Sequence, residues 1–266
     1  MPRGAGVAGS ALLIFATVGY GAVKGDHVSA VAVELKDARD ALANAAGFRI
    51  TQLSVTGHSH LSQQEILAAA GVSEHSSLLF LDVERARDGL KASPWIADAS
   101  VRKTYPDRLQ IELVERVAFA LWQKDGSISL IAADGTELAP FAGRQYAQLP
   151  LVVGPGAEKK AKDFLAVLDR YPTVREDVRA SILVADRRWN LKLKNGIDVR
   201  LPEANVEQGL ALLAGLDRDK QLLTRDIVAV DLRLPDRVSV RLSDPVAQAR
   251  EDLIRGKKAK RKGGDA

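Results

Sequence analysis

Apolar and polar positions alternate along 96–105 and again along 109–114, on either side of Pro106-Asp107. A period of two marks half-buried strands, so the pair reads as a hairpin with Leu109, Ile111 and Leu113 on one face. Upstream the period lengthens. In 62–71, SQQEILAAAG, Ser62 and Glu65 form a capping box, Ile66, Leu67 and Ala70 share a face, and Gly71 ends the helix. A second helix starts at Asp82, buries Val83, Ala86 and Leu90, and stops at Ser93-Pro94. Before both, 48–55 alternates, with Phe48, Ile50 and either Leu53 or Val55 pointing one way, which predicts a strand. The order is β-α-α-β-β.

After Arg116 the elements shorten. A strand is predicted over 117–123, with turns at Lys124-Asp125-Gly126 and Asp134-Gly135 and another short apolar run at 149–153. Ala161, Phe164, Leu165 and Leu168 mark a helix ending near Tyr171-Pro172. Asn195-Gly196, between 189–194 and 197–201, is the strongest hairpin signal in the chain. Pro202 stands near the start of a helix that turns Val206, Leu210, Leu213 and Leu216 inward. A last hairpin joins 227–234 to 237–242 around Pro235-Asp236. The final strand has nothing after it that need cover its outer edge, and its outward residues Arg237, Ser239 and Arg241 are polar.

Before the first strand, 28–47 is helix-like, with Val31, Leu35, Ala38 and Leu42 forming one apolar stripe and Gly47 ending it. Residues 5–23 are nineteen positions without a charge, the length of a membrane-spanning helix; a cleaved signal peptide is its rival. The net charge of +4 is unevenly placed, because 255–262 carries six basic groups and no acid. The remainder is mildly acidic, which speaks against nucleic-acid binding by the folded part. From 244 onward the chain is charged and weakly patterned, and is expected to be disordered or partly helical.

Little here is suited to catalysis. There are no cysteines, so disulfides, thiolate metal sites and cysteine nucleophiles are all excluded. Of the four histidines, His58 and His60 could approach a metal, but no carboxylate sits beside them at a ligand spacing, and a loop is the better reading. No G-x-S-x-G elbow, Walker loop or G-x-G-x-x-G pattern occurs. What remains is sheet edges, whose unpaired amides and carbonyls can accept a strand from a partner.

The motifs also carry a family likeness. VTGHSHLSQQEI at 55–66, AAGV at 69–72, LLFLD at 78–82, SPWI at 93–96 and ASVRKTYPDRLQIELVER at 99–116 occur in order. ALW at 120–122, ADG at 133–135, LPLVVG at 149–154, RRWNLKLKNGI at 187–197 and VDLRL at 230–234 follow. With these motifs the chain resembles the FtsQ/DivIB family of bacterial cell-division proteins over nearly its whole length. The resemblance implies an α+β architecture. A short cytoplasmic start (1–4) precedes a transmembrane helix (5–23) and a juxtamembrane stalk (24–47). An FtsQ-type POTRA domain (48–116), a β domain of antiparallel hairpins with two or three helices (117–243), and a basic tail (244–266) then follow.

The function it implies is that of a non-catalytic divisome scaffold, anchored in the inner membrane with its bulk in the periplasm and enriched at the septum. No cofactor is implied. The partners would be FtsB and, through it, FtsL, with other divisome proteins reached through the POTRA domain and no nucleic acid. In the family a partner adds a strand to the last β strand. Carried over, that contact falls on Arg233, Leu234, Asp236, Val238, Ser239 and Val240, and Arg187 or Arg188 would pair with a partner acid. A POTRA recruitment surface falls on Val101, Arg102 and Lys103. The chain departs from the family pattern at Leu234, where an aromatic is frequent, and at Val117, where proline commonly follows the ER pair. The alternative is a POTRA-type periplasmic chaperone for outer-membrane protein assembly.

Overall fold

The structure is a computed structural model that describes residues 27–234 and 236–262, with side chains described over 34–234 and 236–255. The span expected at 5–23 lies outside the described residues. No helix among them is long and apolar enough to cross a membrane. The chain forms two compact units, one up to Arg116 and one from Val117.

In the first unit β1 (Gln52–Thr56), β2 (Ile96–Thr104) and β3 (Arg108–Glu115) form a sheet in the order β1-β3-β2, with β1 parallel and β2 antiparallel to the central strand. Two helices, α2 (Gln63–Ala69) and α3 (Val83–Lys91), lie in the connection between β1 and β2. Each begins as the sequence predicts: Ser62 and Glu65 cap each other's backbone, and Asp82 accepts hydrogen bonds from the amides of Glu84 and Arg85. These caps satisfy amides that a helix start leaves without partners. Ile66, Ala70, Ala86 and Leu90 then bury against Ile96, Ala99, Leu109, Ile111 and Leu113. The helices come close at Gly89, where an added Cβ would lie 2.2 Å from the Ala69 carbonyl oxygen.

The expected strand at 48–55 begins later than predicted. The first helix, α1 (His27–Ala43), runs into a wide turn, Asn44–Phe48, that ends on Gly47 in a left-handed conformation. The Phe48 carbonyl accepts from the Leu78 amide at 2.8 Å, so the alternation at Phe48 and Ile50 reflects a loop clasp before the ladder starts. The apolar stripe predicted on α1 does not face the unit either: Leu35 and Leu42 are 66% and 75% exposed. The buried side holds Asp40 and Ala43, because Asp40 accepts from the Ser77 hydroxyl and the Asn44 amide donates to the His75 carbonyl. Polar contacts, rather than the stripe, set how this helix is turned.

The second unit is built on one nine-stranded sheet in the order β12-β11-β10-β9-β8-β7-β4-β5-β6. Its strands are β4 (Ala118–Lys124), β5 (Ser127–Ala132), β6 (Glu137–Pro140), β7 (Leu151–Val153), β8 (Val178–Val184), β9 (Arg188–Leu193), β10 (Asp198–Arg200), β11 (Ile227–Asp231) and β12 (Ser239–Leu242). The expectation of antiparallel hairpins holds only in part, since β4–β7, β7–β8 and β10–β11 pair in parallel. Two of these pairs arise where helices cross over: α4 (Ala157–Leu168) and α5 (Pro172–Asp177) link β7 to β8, and α6 (Val206–Lys220) links β10 to β11, whereas β4 is joined to β7 through β5 and β6. The core joins Phe164, Leu165 and Leu168 of α4 and Leu210 and Leu213 of α6 to Trp189, Leu191 and Val199. The rings of Phe164 and Trp189 stack at 4.2 Å. A fourth helix, α7 (Asp244–Lys262), occupies the stretch predicted to be disordered or partly helical.

Candidate functional site

An edge strand differs from an inner one in having one row of backbone donors and acceptors without a protein partner. The nine-stranded sheet has two edges, β6 and β12. On β6 the row is interrupted by Pro140, which has no amide to offer. On β12 every residue keeps its amide, and Ser239, Val240 and Arg241 are exposed. The strand pairs only with β11, in the register Asp231↔Ser239 and Val230↔Val240, with a bulge on β11 between Ile227 and Ala229.

The loop leading into β12 is held by one acid. Asp231 ends β11 and accepts from Arg233 Nε at 2.8 Å and from an Arg233 terminal nitrogen at 2.6 Å, with Arg200 of β10 also near its carboxylate at 3.6 Å. Hydrogen bonds from the Arg233 side chain hold the Asp231 carboxyl below its usual range, against the opposing effect of burial. Arg233 is thereby turned back onto the sheet, and Leu234 beside it is left 47% exposed. Val238 packs partly against the core, while Asp236 is exposed and lies near Arg237.

Leu234 borders a groove of about 320 Å³ whose other walls include Glu203, Leu212 and Arg233. Glu203 in turn meets Arg187 at 3.6 Å, with both side chains more than half exposed. Arg187 therefore belongs to the same stretch of surface as Leu234, connected through Glu203. Arg188 opens β9, is half-buried, and its Nε has no hydrogen-bond partner among the described residues. Ser239 and Val240 border a second pocket with Arg200 and Asp231. The positions 187, 233, 234, 239 and 240 thus form a belt along one end of the sheet, running from β9 to β12. Glu203, Leu212, Arg200 and Asp231 complete it. Chain pattern did not single these out, because none stands in the last hairpin's alternation except Asp231, whose role is to orient Arg233.

On the first unit β2 is an edge of its sheet. Val101 turns toward the helices and packs on the core. Lys103 Nζ donates to the Leu81 carbonyl at 2.7 Å, and Arg102 faces out, 3.9 Å from Glu112. Of the three residues only Arg102 presents its side chain to solvent.

The GHSH loop has a structural task. Glu115, with a side chain only 4% exposed, accepts from the amides of Ser59, His60 and Leu61 and from the Ser59 hydroxyl, at 2.9 to 3.2 Å. Burial pushes its carboxyl up, but these hydrogen bonds together outweigh it and bring the group down to about 2. His60 stacks on Trp95 at 5.0 Å beside it. Arg116 fixes the neighbouring turn by donating to the carbonyls of Pro94 and Ile96.

A family model described as "POTRA domain, FtsQ-type" matches residues 48–116, and one described as "Cell division protein FtsQ/DivIB, C-terminal" matches 120–233. The chain is 54% identical over 266 residues to the cell division protein FtsQ of Bradyrhizobium diazoefficiens, covering 100% of this chain and 78% of that one. It is 39% identical over 246 residues to the FtsQ of Agrobacterium fabrum, covering 92% and 75%. With the FtsQ of Rhizobium meliloti the identity is 39% over 250 residues, covering 94% and 79%. The solved extracytoplasmic domain of DivIB from Geobacillus stearothermophilus aligns with 40% of this chain and 97% of that one, at 17% identity and a TM-score of 0.27, too low to bear on the fold.

Proposed function

We propose, from the premise that this chain belongs to the FtsQ/DivIB family of cell-division proteins, that it is a non-catalytic divisome scaffold which captures a partner strand on β12. The partners in this reading are FtsB and, through it, FtsL. The setting is the inner membrane at the division septum, with both units in the periplasm. The observation that supports it best is the edge itself: β12 closes a nine-stranded sheet, keeps every amide, and exposes Ser239, Val240 and Arg241. A strand laid along it gains main-chain hydrogen bonds without disturbing β11.

Side chains around the edge give the partner's flanks something to recognise. Leu234 and Leu212 offer apolar surface in one groove. Arg187 meets Glu203 in an exposed, long contact, the kind of pair that contributes little and exchanges readily. An acid on the partner would take Glu203's place. The β2 edge, with Arg102 outermost, is the second surface in this reading and recruits the protein to the septum. The family match over 120–233 leaves the chaperone alternative without support of its own.

The test is binding of the periplasmic segments of FtsB and FtsL to a fragment starting at residue 28, with Ser239→Pro and Val240→Pro as variants. Neighbouring residues in a strand point their amides in opposite directions, so one proline removes an outward donor and the other breaks the β11 ladder. Loss of binding in the variant that keeps the native circular dichroism supports strand addition. Undiminished binding by both variants would remove β12 from the interface.

A further inference from the structure

Past the last strand the chain runs on as α7 (Asp244–Lys262), a helix with an uneven surface. At its start Val246 and Ala247 are half-buried, and the Ala247 amide bonds to the Ser243 carbonyl at 2.9 Å. Two turns further on, two large apolar residues stand in solvent: Leu253 is 67% exposed and Ile254 47%. An α-helix advances about 100° per residue. On that register the positions of Arg250, Leu253, Ile254, Lys257, Lys260 and Arg261 fall within about 60° of a single line along the helix. The three acids, Asp244, Glu251 and Asp252, all fall at least about 120° from that line, on the side that also holds the positions of Arg255, Lys258 and Lys262, so the acids are confined to one side while basic positions occur on both.

The segregation restricts what can cover this face. A soluble polyanion would satisfy the basic positions and leave Leu253 and Ile254 in water. An apolar protein groove would bury the two side chains and strand the cations beside them. A bilayer surface containing anionic lipid meets both needs, since headgroups take the basic residues while the acyl boundary takes the apolar pair. The carboxylates on the far side stay clear of like charge. We infer that α7 is an interfacial helix that lays this face on an anionic membrane surface. The inference does not depend on strand capture at β12.

The absence of cysteine makes a site-specific test available on the full chain. Ile254→Cys and, on the opposite side of the helix, Gln248→Cys are each labelled with an environment-sensitive fluorophore. The labelled proteins are reconstituted into vesicles of phosphatidylcholine, with or without phosphatidylglycerol. The Ile254 label is expected to shift to the blue and to be quenched by spin-labelled lipid only when phosphatidylglycerol is present, with raised salt reversing the shift. The Gln248 label is expected to stay in water. Replacing Lys257, Lys260 and Arg261 by Gln should lower the ratio of lipid-bound to free α7 about fivefold for each charge removed. An Ile254 label that does not respond to phosphatidylglycerol, or responds equally in neutral vesicles, overturns the proposal. So does an equal response from the Gln248 label, or an equal shift of the Ile254 label on adding soluble poly-glutamate.

Discussion

Replacing Glu115 with Gln should cost the first unit much of its stability at neutral pH and little at low pH. The carboxylate is almost fully buried and its two oxygens take four hydrogen bonds from the loop at 59–61. Its pKa is brought from the ordinary 4.5 to about 2. A depressed acid stabilises the fold when ionised, so the stabilisation is fully present above 4.5 and fades as the pH falls toward 2. The difference amounts to about 3 kcal/mol at pH 7. A carboxamide keeps the shape but can accept at only one end. Placed to serve Ser59 and His60, its NH2 group would face the Leu61 amide, donor against donor. The expected loss at neutral pH is about 2–3 kcal/mol.

The assay needs a probe confined to the first unit, and Trp95 is one, since the other tryptophans, Trp122 and Trp189, lie beyond Arg116. Fluorotryptophan incorporated into a fragment starting at residue 28 gives a separate fluorine resonance for each, and urea titrations read at Trp95 report the first unit alone. The gap between parent and Glu115→Gln should be widest near pH 7 and fall below about 1 kcal/mol as the pH approaches 2. A gap that stays constant from neutral pH down to 3 would mean that the carboxylate's charge does nothing here and that the substitution acts by packing. That result would overturn the electrostatic role given to Glu115.

Other substitutions probe other joints. Gly57→Ala places a Cβ 1.9 Å from the Leu113 carbonyl oxygen at a φ of +80°, and should destabilise the first unit by at least about 3 kcal/mol in the same urea assay. Ser77→Ala leaves the buried Asp40 carboxylate with the long 3.4 Å contact to Arg39 and should loosen α1, seen as faster amide exchange over 36–43 with the β1–β3 ladder unchanged. Trp189→Ala removes the ring stacked on Phe164 and should lower the second unit's stability by about 3–5 kcal/mol, measured by thermal unfolding. Arg233→Ala releases the loop before β12, and because Asp231 then loses its main donor, its titration should move up toward the ordinary carboxylate range by carbon-detected NMR.

The elements that could be read from the chain were those whose signal is local. Ser62 with Glu65, and Asp82 ahead of its helix, announce helix starts through hydrogen bonds made within four residues, and the structure has both. Asn195-Gly196 likewise sits in a hairpin, where the Asn195 side chain accepts from the Ile197 amide. β8 gave no such sign. Its charged approach, Arg175 to Asp177, belongs to a six-residue helix, and the bulge between Val178 and Ala180 breaks the alternation. Parallel pairing was equally invisible, because β8 is set beside β7 by how α4 and α5 cross the sheet and not by the apolar pattern of β7 itself.

The proposed site divides along the same line. That the last strand is an edge could be argued from order, since among the described residues no strand comes after it. The belt around it could not. Glu203 lies 16 residues from Arg187 in sequence and faces it across 3.6 Å only because β9, β10 and the turn after them fold back together. Arg233 looks free in sequence, yet Asp231 two residues earlier holds it with both carboxylate oxygens. The sequence pattern does not show that Asp231 holds Arg233, and it overlooks Leu212, which borders the same groove as Leu234 only because α6 sets it there. If strand capture is what β12 does, Leu212 and Leu234 should matter together. Removing either leaves half an apolar wall, so their combined substitution should weaken partner binding by less than the sum of the two single effects.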